Sequence, residues 1–212
     1  MNRLRVRFSR GDSVKFISHL DIIRLWHRAL RRAGVELAYS EGFNPHPRLS
    51  LAAPLALGIT SDAELMDIFV TRTISPHSFS AMLDRQLPPG IDILQVCLVA
   101  PTLPALQSQV RFAEYRVEIT AEREPVEAAI KELLAKDSLP WQHHRDTGPR
   151  NYDLRLLIDD LWPGEWHDGR GVIGMRLRCD SNGSGRPEQV VKALGLDQPG
   201  AIHRSRLVLE TN

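Results

Sequence analysis

Two cysteines in 212 residues, Cys97 and Cys179, exclude more than they supply. A thiolate-held iron–sulfur cluster normally takes three or four cysteines, so this chain alone cannot hold one. No CxxC pair marks a zinc site either. Each cysteine stands in an apolar, strand-like run, which reads as a buried structural thiol rather than half of a disulfide. Long apolar runs are missing too: no stretch of 18 such residues is present, and no membrane-spanning helix is expected. The N-terminus, MNRLRVRFSR, is basic but lacks the apolar core of a signal peptide, which makes the cytoplasm the default location. GxSxG, HExxH, P-loop and GxGxxG patterns are absent. His143, His144 and His167, with Asp146 and Asp168, have no ligand spacing and read as incidental loop residues. No metal or cofactor is expected.

What is present is an ordinary globular composition, 42% hydrophobic and 25% charged, long enough for one large domain or two of about 100 residues. The net charge of +1 conceals an asymmetry. Residues 1–50 hold ten Lys/Arg against four acids, a balance of +6, which leaves −5 for the rest. A basic N-terminal region suggests a local patch for an anionic partner, although arginines also decorate solvated faces without any partner.

Along residues 3–9, Leu4, Val6 and Phe8 alternate with Arg3, Arg5 and Arg7, which predicts a strand with one apolar and one basic face. Ser18, with Asp21 three residues on, caps a helix whose expected buried face is Leu20, Ile23, Leu25, Trp26, Leu30 and Ala33. Arg24, Arg28, Arg31 and Arg32 fall on the opposite stripe, and Gly34 is the expected stop. Strands are expected at 35–39, 49–57, 63–74 and 91–99, with a helix opened by Ser75-Pro76. With 49–57 continuing the 35–39 strand after the intervening loop, the result is strand, helix, strand, strand, helix, strand: the ferredoxin-like βαββαβ pattern of an α+β fold. After a proline-containing linker at 101–111, residues 112–212 read as a second, diverged copy. It has a helix at 125–136, a short helix from Arg186 and strands at 114–120, 152–158, 171–179 and 201–210. Residues 159–170, with Trp162 and Trp166, and residues 145–151 read as loops. The expected class is therefore a tandem ferredoxin-like protein, with domains at 1–100 and 112–212.

Folding explains the helix but not the loop Gly42-Phe43-Asn44-Pro45-His46-Pro47-Arg48. Pro45 and Pro47 fix φ and remove two donors, so His46 and Arg48 are presented with little entropy left to lose. One imidazole and one guanidinium on a stiff loop suit a phosphate or substrate clamp, with Asn44 and Tyr39 completing a polar pocket. His19, in the first helical turn, and His46 are the candidate acid/base residues. Lys15, Arg24, Arg28, Arg31 and Arg48 are the candidate phosphate or partner contacts. Base stacking normally needs exposed aromatics, and the first strand offers arginines instead.

VKFISHLD, followed by LRRAG and AYSEGFNPHPRLSLAAPLALG, resembles the signature of a radical-SAM-linked family of unknown function. The motif is specific across residues 3–70. The resemblance implies a companion of a radical SAM protein, often with a cobalamin-binding region, in which the cluster lies on the partner. The expectation is then an accessory module that binds RNA, or presents it, for that partner. The alternatives are a metal-independent RNA-cleaving or RNA-modifying enzyme working through a histidine, and a protein-interaction scaffold.

Overall fold

In the computed structural model, which describes residues 1–145 and 148–210, the chain is mixed α+β with predominantly antiparallel pairing. It divides into two units, one holding Met1–Val110 with Glu210, the other Arg111–Leu209.

The first unit runs β1 (Asn2–Arg10), α1 (His19–Arg32), β2 (Leu49–Leu51), β3 (Thr60–Val70), α2 (Pro76–Leu83), β4 (Ile93–Val99) and a short α3 (Leu106–Gln109). Its strands lie in the order β4-β1-β3-β2, every neighbour antiparallel. Leu4, Val6 and Phe8 of β1 and Met66, Ile68 and Val70 of β3 point to one face. There they pack with Ile22, Trp26, Ala29 and Leu30 of α1 and Phe79 and Leu83 of α2. The Phe8 and Trp26 rings meet edge-on at 4.9 Å.

α1 follows its local signals closely. The Ser18 hydroxyl accepts the Asp21 amide at 3.2 Å and donates to the Asp21 carboxylate at 2.7 Å. At the other end Gly34 sits at φ +72°, Gly34 N–H reaches Arg31 and Val35 N–H reaches Leu30, a Schellman closure. The buried face is rotated from expectation: Ile22 and Ala29 belong to it, while Leu20 is exposed. Residues 35–39 are not a strand. They make only single bridges, Leu37 to Val70 and Tyr39 to Pro47, and β2 takes the stretch of the β3 edge at Met66–Ile68. β2 itself is three residues long, and Ala52 to Gly58 is irregular chain around Pro54.

The second unit runs β5 (Val110–Thr120), α4 (Arg123–Leu134), β6 (Pro140–Arg145), β7 (Gly148–Asp153), β8 (Ile158–His167), β9 (Arg170–Asp180), β10 (Gly183–Ser184), α5 (Pro187–Ala193) and β11 (Ile202–Leu209). The order is β8-β9-β5-β11, with β10 extending the β9 hairpin. β6 and β7 form a separate ribbon. Both expected loops carry strand. Residues 158–167 form β8, an edge strand with register shifts that accommodate Pro163 and Gly164. In the other, Arg145 closes β6 and residues 148–151 belong to β7.

The tryptophans explain why β8 pairs where it does. The Trp162 and Trp166 rings lie on Gly174 and Gly171 of β9, where an added Cβ would fall 2.0 Å from ring atoms. Trp166 also donates its indole N–H to the Ala121 carbonyl at 2.9 Å. Gly174→Ala is therefore expected to lower stability by about 1–3 kcal/mol, since a rigid ring must leave its seat. A urea midpoint unchanged from wild type would show that the ring moves freely.

Candidate functional site

The open face of the first unit's sheet, away from α1 and α2, carries Arg3, Arg5, Asp67 and Phe69 by strand alternation. The basic strip predicted there is largely neutralised. Arg3 and Asp67 are both buried, and Arg3 donates through Nε (2.8 Å) and Nη2 to one carboxylate oxygen. Arg5 donates from Nε to the other at 2.8 Å. The remaining Arg3 donors reach the Leu103 and Pro104 carbonyls at 2.7 and 2.9 Å, and Arg5 reaches Gln109 at 3.2 Å. The 101–109 segment is thereby fastened onto this face. Only Arg7 of the three stays exposed.

On the helix side, the predicted stripe is partly engaged. Arg24 pairs with Asp21 at 3.0 Å, and Arg32 binds Gln86 through its side chain and main chain. Arg28 and Arg31 are exposed and form no ion pair or hydrogen bond among the described residues. Lys15 pairs with Asp12 and lies 5.6 Å from the Phe16 ring centroid.

The loop after Tyr39 is a pinned excursion. Ser40 N–H donates to the His46 carbonyl at 2.8 Å, and His46 N–H to the Ser40 hydroxyl at 3.0 Å. Arg48 is bonded to Ala38 on one side and to Phe69 on the other. Between these clamps residues 41–46 are all exposed, and Phe43 is fully so at 108%. Gly42 takes φ +121°, which only glycine adopts without strain. The Asn44 and His46 side chains point to solvent without a hydrogen bond among the described residues. Tyr39 is also exposed. Arg48 lays its guanidinium over Phe69, 4.3 Å from the centroid, with Nη1 3.2 Å from the Met1 sulfur.

A third locus surrounds His19. The imidazole is half-buried at the start of α1, and burial pushes it below the ordinary histidine value, with Arg10 adding to the shift and Glu64 opposing it. Arg10 and Glu64 are themselves buried, and Arg10 donates to the Ile17 carbonyl at 2.7 Å. Gly58 N–H bonds the Lys15 carbonyl at 2.9 Å, so the two ends of the long motif meet here. Phe16, Leu20 and Leu57 are exposed in the segments that meet there.

The predicted site residues therefore fall in three places. Arg24, Arg28 and Arg31 lie on α1. Lys15 and His19 lie at its N-terminus. Tyr39, Asn44, His46 and Arg48 belong to the loop and the open-face edge. No hydrogen bond joins His19 to His46 among the described residues. Sequence reasoning missed Arg10, Glu64 and Asp67, charged residues that are nonetheless buried. Asp67 did leave a signal in its position: it stands on the Phe69 face of β3 and pairs in register with Arg5. Phe43 and Phe69 were also missed, and they supply aromatic surface that β1 lacks.

His27 behaves like His19. Burial, then Arg31 and Arg28, hold it below the ordinary value, and its Nε2 is buried without a hydrogen-bond partner. For both residues the unfolded chain takes up a proton more readily than the folded one. Stability is then complete above the ordinary histidine value of about 6.5 and is lost as pH falls through it toward the lowered folded values. Urea midpoints between about pH 7.5 and 5.5 are expected to drop, and to drop less in His27→Gln. A variant slope equal to wild type would contradict this.

Cys97 and Cys179 are not joined in a disulfide and are half-buried, less enclosed than expected. His143 and His144 lie in β6 and His167 at the end of β8, and Asp168 follows in the β8–β9 turn. Asp146 lies outside the described residues. Among the described residues no three His, Cys, Asp or Glu groups converge as a metal site. No helix there is long and apolar enough to cross a membrane.

Strand order and site together define a mixed α+β protein with one of its three groups of candidate residues on a clamped loop at a sheet edge. The chain belongs to the bacterial family described as an uncharacterized protein conserved in bacteria (DUF2344), whose model matches residues 3–187. No curated protein matches its sequence. Among solved structures it is similar to a chain of a Cbf5-Nop10-Gar1 complex, at 7% identity and TM-score 0.52, over 96% of this chain and 48% of that one. A chain of the archaeal box H/ACA sRNP Nop10-Cbf5 complex gives 7%, 0.50, 97% and 48%. The chain thus spans about half the length of these relatives, and at such identity the likeness is one of fold.

Proposed function

We propose that this protein is an accessory module that binds single-stranded RNA and presents it to a radical SAM enzyme, the partner holding the cluster. The observation that carries the reading is the clamped loop. It holds Phe43, Asn44 and His46 in solvent and stacks Arg48 on Phe69, supplying the aromatic and guanidinium surfaces that unpaired bases use. Arg28 and Arg31 add uncommitted positive charge for phosphates. Two further points support it. Both units repeat one order of elements, which we read as tandem ferredoxin-like domains, with the β6–β7 ribbon inserted in the second. The sRNP chain to which the fold is similar comes from a ribonucleoprotein. The radical SAM link rests on the VKFISHLD and GFNPHPR motifs.

Fluorescence titration of a labelled single-stranded oligoribonucleotide, against a duplex of the same sequence, tests the binding step. Tight single-strand binding that Phe43→Ala and Arg48→Ala weaken is the expected result. Equal binding of duplex and single strand, untouched by either change, would rule the loop out as the binding surface.

His19 beside buried Arg10 and Glu64 favours a second reading, a histidine acid/base acting on RNA, because a mostly neutral imidazole at neutral pH is competent as a base. Labelled RNA incubated with the purified protein would be cleaved or modified, and would remain intact with His19→Gln. Intact RNA with the wild type, with and without partner, would discard this second reading.

A further inference from the structure

We infer that the pocket between Arg48 and the 101–106 segment holds one unstacked nucleobase of a bound RNA strand, with the attached phosphate at its mouth. This assigns a subsite within the RNA reading above and rests on it. The pocket has a volume of about 360 Å³. That is the small end of ligand sites, roomy enough for one ring system and too small for paired bases. Leu49, Pro101, Leu103 and Leu106 form apolar walls, while Phe69, Arg3 and Arg48 supply the aromatic and cationic surfaces.

Three features select the occupant. First, two guanidiniums and no carboxylate line the cavity. Asp67 is shared between Arg3 and Arg5, so the floor keeps a net positive charge. Second, Arg48 is held in place by the Phe69 ring at 4.3 Å and by main-chain bonds to Ala38 and Phe69. Its plane is therefore ready to stack without ordering a flexible side chain. The Arg48 Nη1 faces the Met1 thioether, a weak acceptor that a phosphate or base carbonyl replaces. Third, the Arg3 donors are already bonded to Asp67, Leu103 and Pro104. Arg3 contributes charge but no directional contact, and the Ser50 hydroxyl donates to Gln107 at 2.9 Å. An inorganic anion would leave the apolar walls unused, and an apolar side chain would leave the positive charge unused. A base with its phosphate uses both. With few free directional groups, the pocket selects a ring over no ring rather than one base over another.

The test uses the full chain, a single-stranded oligoribonucleotide carrying 4-thiouridine, and two variants. Arg48→Lys keeps the charge and loses the plane, and Ala105→Trp fills the cavity from its exposed rim. Photo-crosslinks mapped by mass spectrometry are expected within residues 48–50, at Phe69 or within 101–106. Both variants are expected to weaken binding roughly 5- to 100-fold, the range for one stacked base. Uridine monophosphate should compete for the crosslink, and inorganic phosphate at the same concentration should not. If RNA binds but crosslinks elsewhere, with both variants at wild-type affinity, the pocket assignment fails and the RNA reading stands. Equal competition by phosphate would reduce the pocket to an anion site and overturn the assignment. A wild-type chain that binds no RNA sinks both.

Discussion

Asp67→Ala is expected to destabilise the first unit by about 3–5 kcal/mol, a large share of the stability of a domain this size. The carboxylate is fully buried and is the counter-charge of Arg3, itself 2% exposed, and of Arg5, half-buried beside it. Removing it leaves a buried guanidinium with carbonyl partners but no neutralising charge. The loss should exceed that of Arg24→Ala, whose pair with Asp21 is exposed and screened by solvent. Arg3→Met combined with Asp67→Leu should recover much of the deficit, because an apolar pair of similar volume avoids the desolvation cost. Limited proteolysis of Asp67→Ala should also cut first within 101–109, the segment Arg3 fastens. A urea midpoint for Asp67→Ala within error of Arg24→Ala would show that the triad contributes nothing.

Replacing Arg28 and Arg31 together by Ala carries the second large effect, on affinity rather than stability. Both side chains are exposed and uncommitted, so the fold should be indifferent, with changes within about 0.5 kcal/mol. Single-stranded RNA should bind roughly 10-fold or more weakly at low salt. The slope of log affinity against log salt should flatten by about 1.4, or ~0.7 for each phosphate no longer neutralised. Arg24→Ala should do less, since its charge is already shared with Asp21. An unchanged slope would remove α1 from the RNA-binding surface.

Much of the first unit was legible because its signals are local. Ser18 and Asp21 cap α1, Gly34 ends it and Ser75-Pro76 opens α2, each through groups within four residues. Alternation in β1 marked its core face. What escaped were facts decided by distant chain. Leu20 fits a buried stripe by spacing, yet it is exposed at the first turn beyond the core. Val35 to Tyr39 has strand composition but meets only the Val70 end of the β3 edge, since β2 pairs with Met66–Ile68. Arg3 and Arg5 look like solvent-facing cations until Asp67, more than 60 residues on, is placed in register beneath them. In the second unit, Pro163 and Gly164 argued for a loop, and the glycines of β9 that seat the two tryptophans made it a strand. The candidate site divides the same way. The stiffness of GFNPHPR was readable from its prolines, whereas the stacking of Arg48 on Phe69 depends on the β2–β3 pairing.

Affinity purification of the tagged wild-type chain and of the Arg28/Arg31/Arg48→Ala variant, each with and without nuclease, measures the central claim most directly. The wild type is expected to carry RNA together with a protein bearing a radical SAM cysteine cluster, and the variant to keep that protein while losing the RNA. Recovery of the protein partner alone, insensitive to nuclease and to the three substitutions, would contradict RNA presentation and leave a scaffold in its place.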